Sequence, residues 1–177
     1  ADDAAGLAVS EKMRSSIRGL EMAKRNTQDG ISLVQTAEGS MDEIHNMVQR
    51  LRELNVQAVN GIYNTEDKAN ITAEGTQIVA QINEIATKTN FNGINLLNAG
   101  ANINIQTGIN SGDKIEIKAV DVTGATLGLD GLDITVEGSL ATLDTAIETI
   151  STNRATLGAV QNRLEHTVNS IDSTSES

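Results

Sequence analysis

Between residues 8 and about 58 the chain places Met13, Ile17, Leu20, Ala23, Thr27, Ile31, Val34, Ala37, Met41, Ile44, Val48 and Leu51 at steps of three and four. That spacing puts side chains on one face of an α-helix and predicts a continuous buried stripe. Unbroken, such a helix extends on the order of 70 Å at about 1.5 Å per residue, longer than a compact domain of this size needs. Gly30 and Gly39 each weaken a helix by roughly 1 kcal/mol relative to Ala, yet the stripe keeps its phase across both, so both are read as close-packing positions. Asn60-Gly61 ends the helix.

A second helix is expected from Asn64, a good N-cap, with Glu66 and Asp67 in the first turn, where the helix dipole favours negative charge. Its apolar stripe is Ile71, Ile78, Ile82 and Ile85. Asn90-Phe91-Asn92-Gly93 then reads as a reversal with a single apolar plug, Phe91. Beyond it the period changes from helical to alternating. Ile103 and Ile105 alternate with polar residues, as do Ile115, Ile117 and Ala119, and Asn110-Ser111-Gly112-Asp113 supplies a turn, which predicts a β-hairpin. A third short strand is expected at Asp133 to Val136. From Leu140 the helical period returns in heptads, with Leu143, Ile147, Ile150, Leu157, Leu164, Val168 and Ile171 on the seam and Arg154 and Gln161 as polar exceptions. The tail from Asp172 to Ser177 is polar and expected to fray.

These helices can bury their stripes only against one another, so the last must run back along the first. The expected fold is mainly α with a small β part: an elongated rod of long antiparallel helices, a coiled-coil-like bundle, with a β-hairpin or small sheet at one end. One domain over 1–177 is expected, with a long helix over 1–60, a second over 64–88, the hairpin region over 101–137 and a C-terminal helix over 139–172. The doublet Gly128-Leu129-Asp130-Gly131-Leu132-Asp133 is too short for a repeat architecture.

Composition narrows the function. The 177 residues suffice for one domain with a real core. Thirteen basic against 24 acidic residues give a net charge of −11, and no block of Lys or Arg is dense enough to follow a phosphate backbone, which disfavours nucleic acid. Tyr63 and Phe91 are the only aromatic residues apart from the two histidines, so no base-stacking platform can be built and the core is aliphatic. Without cysteine there are no disulfides, thiolate metal sites or thiol nucleophiles. Without proline the strongest helix breaker is missing. No apolar run approaches a membrane span, and Ala1 to Leu7 lack the features of a secretory signal, so an exported chain would leave by another route.

Chemistry has little to work with. His45 and His166 are lone imidazoles on separate predicted helices, without HExxH spacing. No nucleophile elbow, phosphate-binding loop or dinucleotide fingerprint occurs, and the carboxylates are spread along predicted solvent faces. No enzyme, cofactor or metal site is expected. Arg14, Arg18, Arg50 and Arg52 are candidates for inter-subunit ion pairs, or else solvated helix charges with Glu11 or Glu53 within a turn.

Several stretches carry a family likeness: Ala1 to Met13 (ADDAAGLAVSEKM), Asn26 to Gly39 (NTQDGISLVQTAEG), Gln49 to Leu54 (QRLREL), Thr89 to Gly93 (TNFNG) and Leu157 to Leu164 (LGAVQNRL). Together they resemble the conserved core of bacterial flagellins, over nearly the whole chain. The resemblance implies a secreted, extracellular structural subunit of the flagellar filament whose partners are other subunits. In the family the extreme terminal segments form an inner coiled-coil tube, and they would precede Ala1 and follow Ser177. The variable outer domain would be inserted where Gly131 to Ser139 makes a direct connection. A core of this kind is expected to stay soluble and monomeric and not to form native filaments.

Flagellins are also ligands of the vertebrate flagellin-sensing Toll-like receptor, and the resemblance implies a receptor surface at Gln49, Arg50, Glu53 and Leu54, with Gln77 where recognised members often carry an acidic residue. Arg50 and Leu54 lie four apart on one helix face, so an exposed Leu beside an Arg could anchor the contact. Spacing alone favours the other reading, in which Leu54 continues the core stripe from Leu51, and only the resemblance speaks against it. A hook-filament junction protein of related architecture and a generic helical oligomerisation module are the alternative readings.

Overall fold

The computed structural model describes residues 2–176, so Ala1 and Ser177, which begin and end the family-like stretches and the polar tail, lie outside the described residues. The elements are α1 (Asp2–Ala58), α2 (Thr65–Lys88), β1 (Asn90–Phe91), β2 (Ile94–Asn95), β3 (Ile103–Gln106), β4 (Lys114–Ile117), α3 (Gly124–Leu127) and α4 (Ser139–Glu176). The fold is mainly α, with two small antiparallel hairpins, β1-β2 and β3-β4. The backbone groups into two compact units, one of residues 1–35, 102–118 and 158–177 and the other of residues 36–101 and 119–157.

In the first unit, Lys24 Nζ on α1 meets Asp172 Oδ1 on α4 at 2.6 Å. Burial on α1 begins at Ala23, and Met13 and Ile17, expected in the stripe, are 60% and 44% exposed. The reason is local: α4 is described only one helical turn past Asp172, so the earlier part of α1 has no α4 beside it among the described residues. Leu20 and Ile31 are half-buried. Thr27 is fully buried because its hydroxyl donates to the Ala23 carbonyl at 2.7 Å, which satisfies the one polar member of the stripe. Gly30 is a close-packing position. A Cβ there would lie 3.1 Å from Ile105 Cγ1 and 3.4 Å from Leu164 Cδ1.

The β3-β4 hairpin pairs Ile103 with Ile117 and Ile105 with Ile115, and its buried face carries Ile115 and Ile117. Its turn is held by the Asp113 carboxylate, which accepts from Asn110 N–H at 3.0 Å, and by the Gln106 amide, which donates to the Gly108 and Asn110 carbonyls at 2.8 and 2.7 Å. Ala119 lies beyond β4 and is exposed. The expected fraying from Asp172 is not observed, since α4 stays helical through Glu176.

In the second unit the α1 stripe is closely buried: Ala37, Met41, Ile44, Val48, Leu51, Leu54 and Ala58 are all at or below 3% exposure. Gly39 departs from the expectation. A Cβ there would meet nothing within 4 Å, so it packs against nothing. Asn64 caps α2 with a full capping box, its Oδ1 accepting from Asp67 N–H at 2.8 Å while Asp67 Oδ2 accepts from Asn64 N–H at 3.1 Å. On α2 the buried face is Ile71, Gly75, Ile82 and Ala86, with Ile78 and Ile85 only half-buried. Gly75 is buried because Ile134 packs against it.

Asn92 and Gly93 both have positive φ, 51° and 79°, the conformation that a two-residue hairpin requires to match strand twist. Phe91 is only half-buried and pairs with the exposed Ile94 across this hairpin. The expected apolar plug is instead Leu96 and Leu97, at 7% and 0% exposure. Asp133 to Val136 is a turn and not a strand. Asp133 Oδ1 accepts from the Thr135 N–H (2.9 Å) and hydroxyl (2.6 Å), and the Asn55 amide donates to the Ile134 and Val136 carbonyls, both at 2.8 Å, so these groups are not available for strand pairing. Along α4 the seam holds Leu143, Ala146, Ile150 and Leu157 here and Val160, Leu164 and Ile171 in the first unit, with Ile147 and Val168 half-buried.

Candidate interaction surface

The sequence-derived residues Gln49, Arg50, Glu53, Leu54 and Gln77 all lie in the second unit, the first four on α1 and Gln77 on α2. Helical spacing turns Gln49, Arg50 and Glu53 outward, because Val48, Leu51 and Leu54 occupy the buried stripe between them. Leu54 is 1% exposed. The exposed anchor expected there is therefore absent: Leu54 continues the stripe from Leu51, the other reading its spacing allowed.

Arg50 is the organising charge of this face. Its Nε and Nη2 both donate to Glu74 Oε1 on α2, at 3.1 and 3.0 Å, and its Nη1 donates to Glu53 Oε2 at 3.3 Å. The hydrogen bonds it donates to Glu74, then the one it donates to Glu53, together with the charges of both carboxylates, raise the guanidinium pKa above its ordinary value. Glu74 was not among the predicted residues. Its signal was that of any acidic residue on a solvent-facing helix turn, and only the packing of α2 on α1 selects it. Gln77 lies one turn further along α2 and is exposed. Gln49 Nε2 lies 3.0 Å from His45 Nε2, while His45 Nδ1 is buried with no hydrogen-bond partner.

Two of the other candidate arginines have partners within the chain. Arg14 pairs with Glu11 at 3.1 Å and Arg52 with Asp144 at 2.7 Å, while Arg18 is exposed. Arg154, a polar exception on the predicted seam, reaches Asp42 at 3.2 Å, which explains a charge at that position. Asn55 is a buried polar residue with two carbonyl partners, pinning the turn before α4 to α1.

A cleft of about 600 Å³ in the first unit is lined by Lys12, Ser15, Ser16, Met22 and Gln106 among others. A groove of about 350 Å³ in the second runs between Thr72, Thr76 and Val79 of α2 and Leu129, Leu132 and Ile134. Neither brings together an acid, a base and a nucleophile in catalytic geometry. Among the described residues no group of three or more His, Asp or Glu could hold a metal ion, and no helix is long and apolar enough to cross a membrane.

The model of the bacterial flagellin N-terminal helical region matches residues 1–102, and that of the bacterial flagellin C-terminal helical region matches residues 140–177. A flagellin of Halalkalibacterium halodurans is 45% identical over 182 residues, covering 99% of this chain and 67% of the relative. Flagellin FlaB2 of Treponema pallidum is 41% identical over 196 residues, covering 99% of this chain and 68% of the relative. The crystal structure of Bacillus cereus flagellin superposes with a TM-score of 0.76 at 38% identity, covering 83% of this chain and 88% of that one. Bacillus cereus FlgL shares the fold at a TM-score of 0.58, but at 17% identity over 95% of this chain and 93% of that one the likeness extends to the fold alone. With two family regions matched in order at both ends, and relatives this similar over nearly its full length, the chain belongs to the bacterial flagellin family.

Proposed function

We propose that this chain, a structural protein of the bacterial flagellar filament and not an enzyme, supplies as one core the packed helices on which secreted subunits assemble, and that the polar face of Gln49, Arg50 and Glu53 with Gln77 is its surface toward the flagellin-sensing Toll-like receptor. The observation that carries the receptor reading is the arrangement around Arg50: a guanidinium held by Glu74 and Glu53 above a fully buried Leu51 and Leu54. A charged group fixed over a rigid apolar layer loses little conformational entropy when a partner docks on it. Leu54 then acts by supporting this face from below, not by touching the partner.

Binding of the purified chain to the receptor ectodomain tests the reading. Arg50→Ala is expected to weaken binding with unchanged helicity, and Gln77→Glu to strengthen it. Binding indifferent to both changes would remove the receptor role and leave the filament role standing.

A further inference from the structure

The sequence contains two Asn-Gly pairs, Asn60-Gly61 in the α1–α2 connection and Asn92-Gly93 in the β1-β2 turn, and both are exposed. A glycine after asparagine leaves the following backbone nitrogen unshielded, so that it can attack the side-chain amide. The two pairs differ in what holds the reacting groups.

At Asn60 the side-chain Oδ1 accepts the N–H of Ile62 at 3.3 Å, an Asx-turn that folds the amide back over the intervening Gly61. Gly61 N–H has no acceptor among the described residues, and nothing lies within 4 Å of where its Cβ would be. At Asn92 the following nitrogen is engaged: Gly93 N–H donates to Asn90 Oδ1 at 3.2 Å. Both residues there are also fixed at positive φ by the paired strands.

We infer that Asn60 is a site of spontaneous deamidation in the folded protein and that Asn92 is protected from it. The Gly61 nitrogen attacks Asn60 Cγ, forming a new N–C bond. The Cγ–Nδ2 bond breaks and Nδ2 departs as ammonia, taking the proton that the Gly61 nitrogen gives up. The Ile62 N–H already lies on the oxygen where negative charge develops in that attack, an oxyanion-hole arrangement. Water then opens the cyclic imide. Cleavage of the bond to Cγ gives aspartate, and cleavage of the bond to the backbone carbonyl carbon gives isoaspartate. No oxidant or reductant is involved. Either product adds a carboxylate to a chain already at −11, and isoaspartate also inserts a methylene into the backbone between α1 and α2.

The test is timed incubation of the purified chain in mildly alkaline buffer, with and without denaturing urea, followed by peptide mass spectrometry and enzymatic labelling of isoaspartate. In the native chain Asn60 is expected to convert several-fold faster than Asn92, in urea the two rates are expected to converge, and Gly61→Ala, which has open space for its methyl, is expected to suppress conversion at Asn60. Equal or inverted rates at the two sites in the native chain overturn the inference, as does undiminished conversion in Gly61→Ala.

Discussion

Arg52 Nε on α1 donates to Asp144 Oδ1 on α4 at 2.7 Å, joining residues 92 apart in sequence. Arg154 and Asp42 make the companion pair in the same unit, so a step of ten residues forward on α1 is a step of ten back on α4. The two pairs mark the antiparallel register of helices whose buried seam is mostly aliphatic. Both are surface pairs, and each side chain is more than a third exposed. Exposed pairs contribute roughly 0–1 kcal/mol, so Asp144→Ala is expected to lower unfolding free energy by no more than about 1 kcal/mol, and less at high salt. Urea titration at two ionic strengths checks this, and a loss of several kcal/mol would mean that the pair does more than mark the register.

The helical skeleton was legible because its signals are local. Stripe spacing located α1, α2 and α4, Asn64 announced its own cap, and the Asn110–Asp113 cluster located the β3-β4 turn. The failures have one physical origin, since burial depends on which neighbour is present. Met13 and Ile17 fit the helical period as well as Val34 does, but the period does not tell which positions have a neighbour packed on them. Gly30 and Gly39 looked alike, and only tertiary contact separates them. Asp133 to Val136 alternates like a strand, yet Asp133, Thr135 and Asn55 use its backbone groups first. In the candidate surface the helical spacing placed Arg50 on the outward face, whereas its partner Glu74 emerged only once α2 was placed beside α1.

Leu54 separates support from contact. Leu54→Ala removes a fully buried side chain and is expected to destabilise by about 2–5 kcal/mol, as other buried leucine truncations do. Arg50→Ala removes exposed hydrogen bonds and is expected to leave the unfolding midpoint nearly unchanged. Thermal unfolding beside receptor binding would distinguish them: Leu54→Ala is expected to lose binding only in step with its folded fraction. Lost binding at full stability would place Leu54 in direct contact after all.

Acid should act through Asp133. Hydrogen bonds from the Thr135 hydroxyl and then its N–H hold the Asp133 carboxyl below the usual carboxylate range, with burial opposing and Lys68 assisting. A depressed folded-state pKa means that the contribution is complete above the unfolded pKa and is lost as pH falls from there through the folded one. Thr135→Val removes the hydroxyl and is expected to move the Asp133 titration back toward the ordinary value, and with it to flatten the acid side of the stability curve. Side-chain carboxyl chemical shifts followed against pH read this directly, and an unchanged Asp133 titration in Thr135→Val would show that the turn's hydrogen bonds do not set it.

Two helical glycines provide the sharpest contrast in packing. Gly39 faces open space, so Gly39→Ala is expected to stabilise by about 0.5–1 kcal/mol through backbone entropy and helix propensity alone. Gly75 gains the same propensity, but its new methyl would collide with Ile134 Cδ1 and press on Cγ1 at 3.3 Å, with Leu51 Cδ2 behind at 3.6 Å. Overpacking of this kind costs about 1–3 kcal/mol, so Gly75→Ala is expected to be neutral to destabilising by about 2 kcal/mol. Because Ile134 is also held by its carbonyl bond from Asn55, it cannot retreat without disturbing the turn that leads into α4. Shortening the obstructing side chain should therefore rescue the variant: Ile134→Val in the Gly75→Ala background is expected to cost less than Ile134→Val alone. A double-mutant cycle by urea unfolding measures that coupling, and strict additivity would mean that the Ile134 turn yields to the added methyl without resistance.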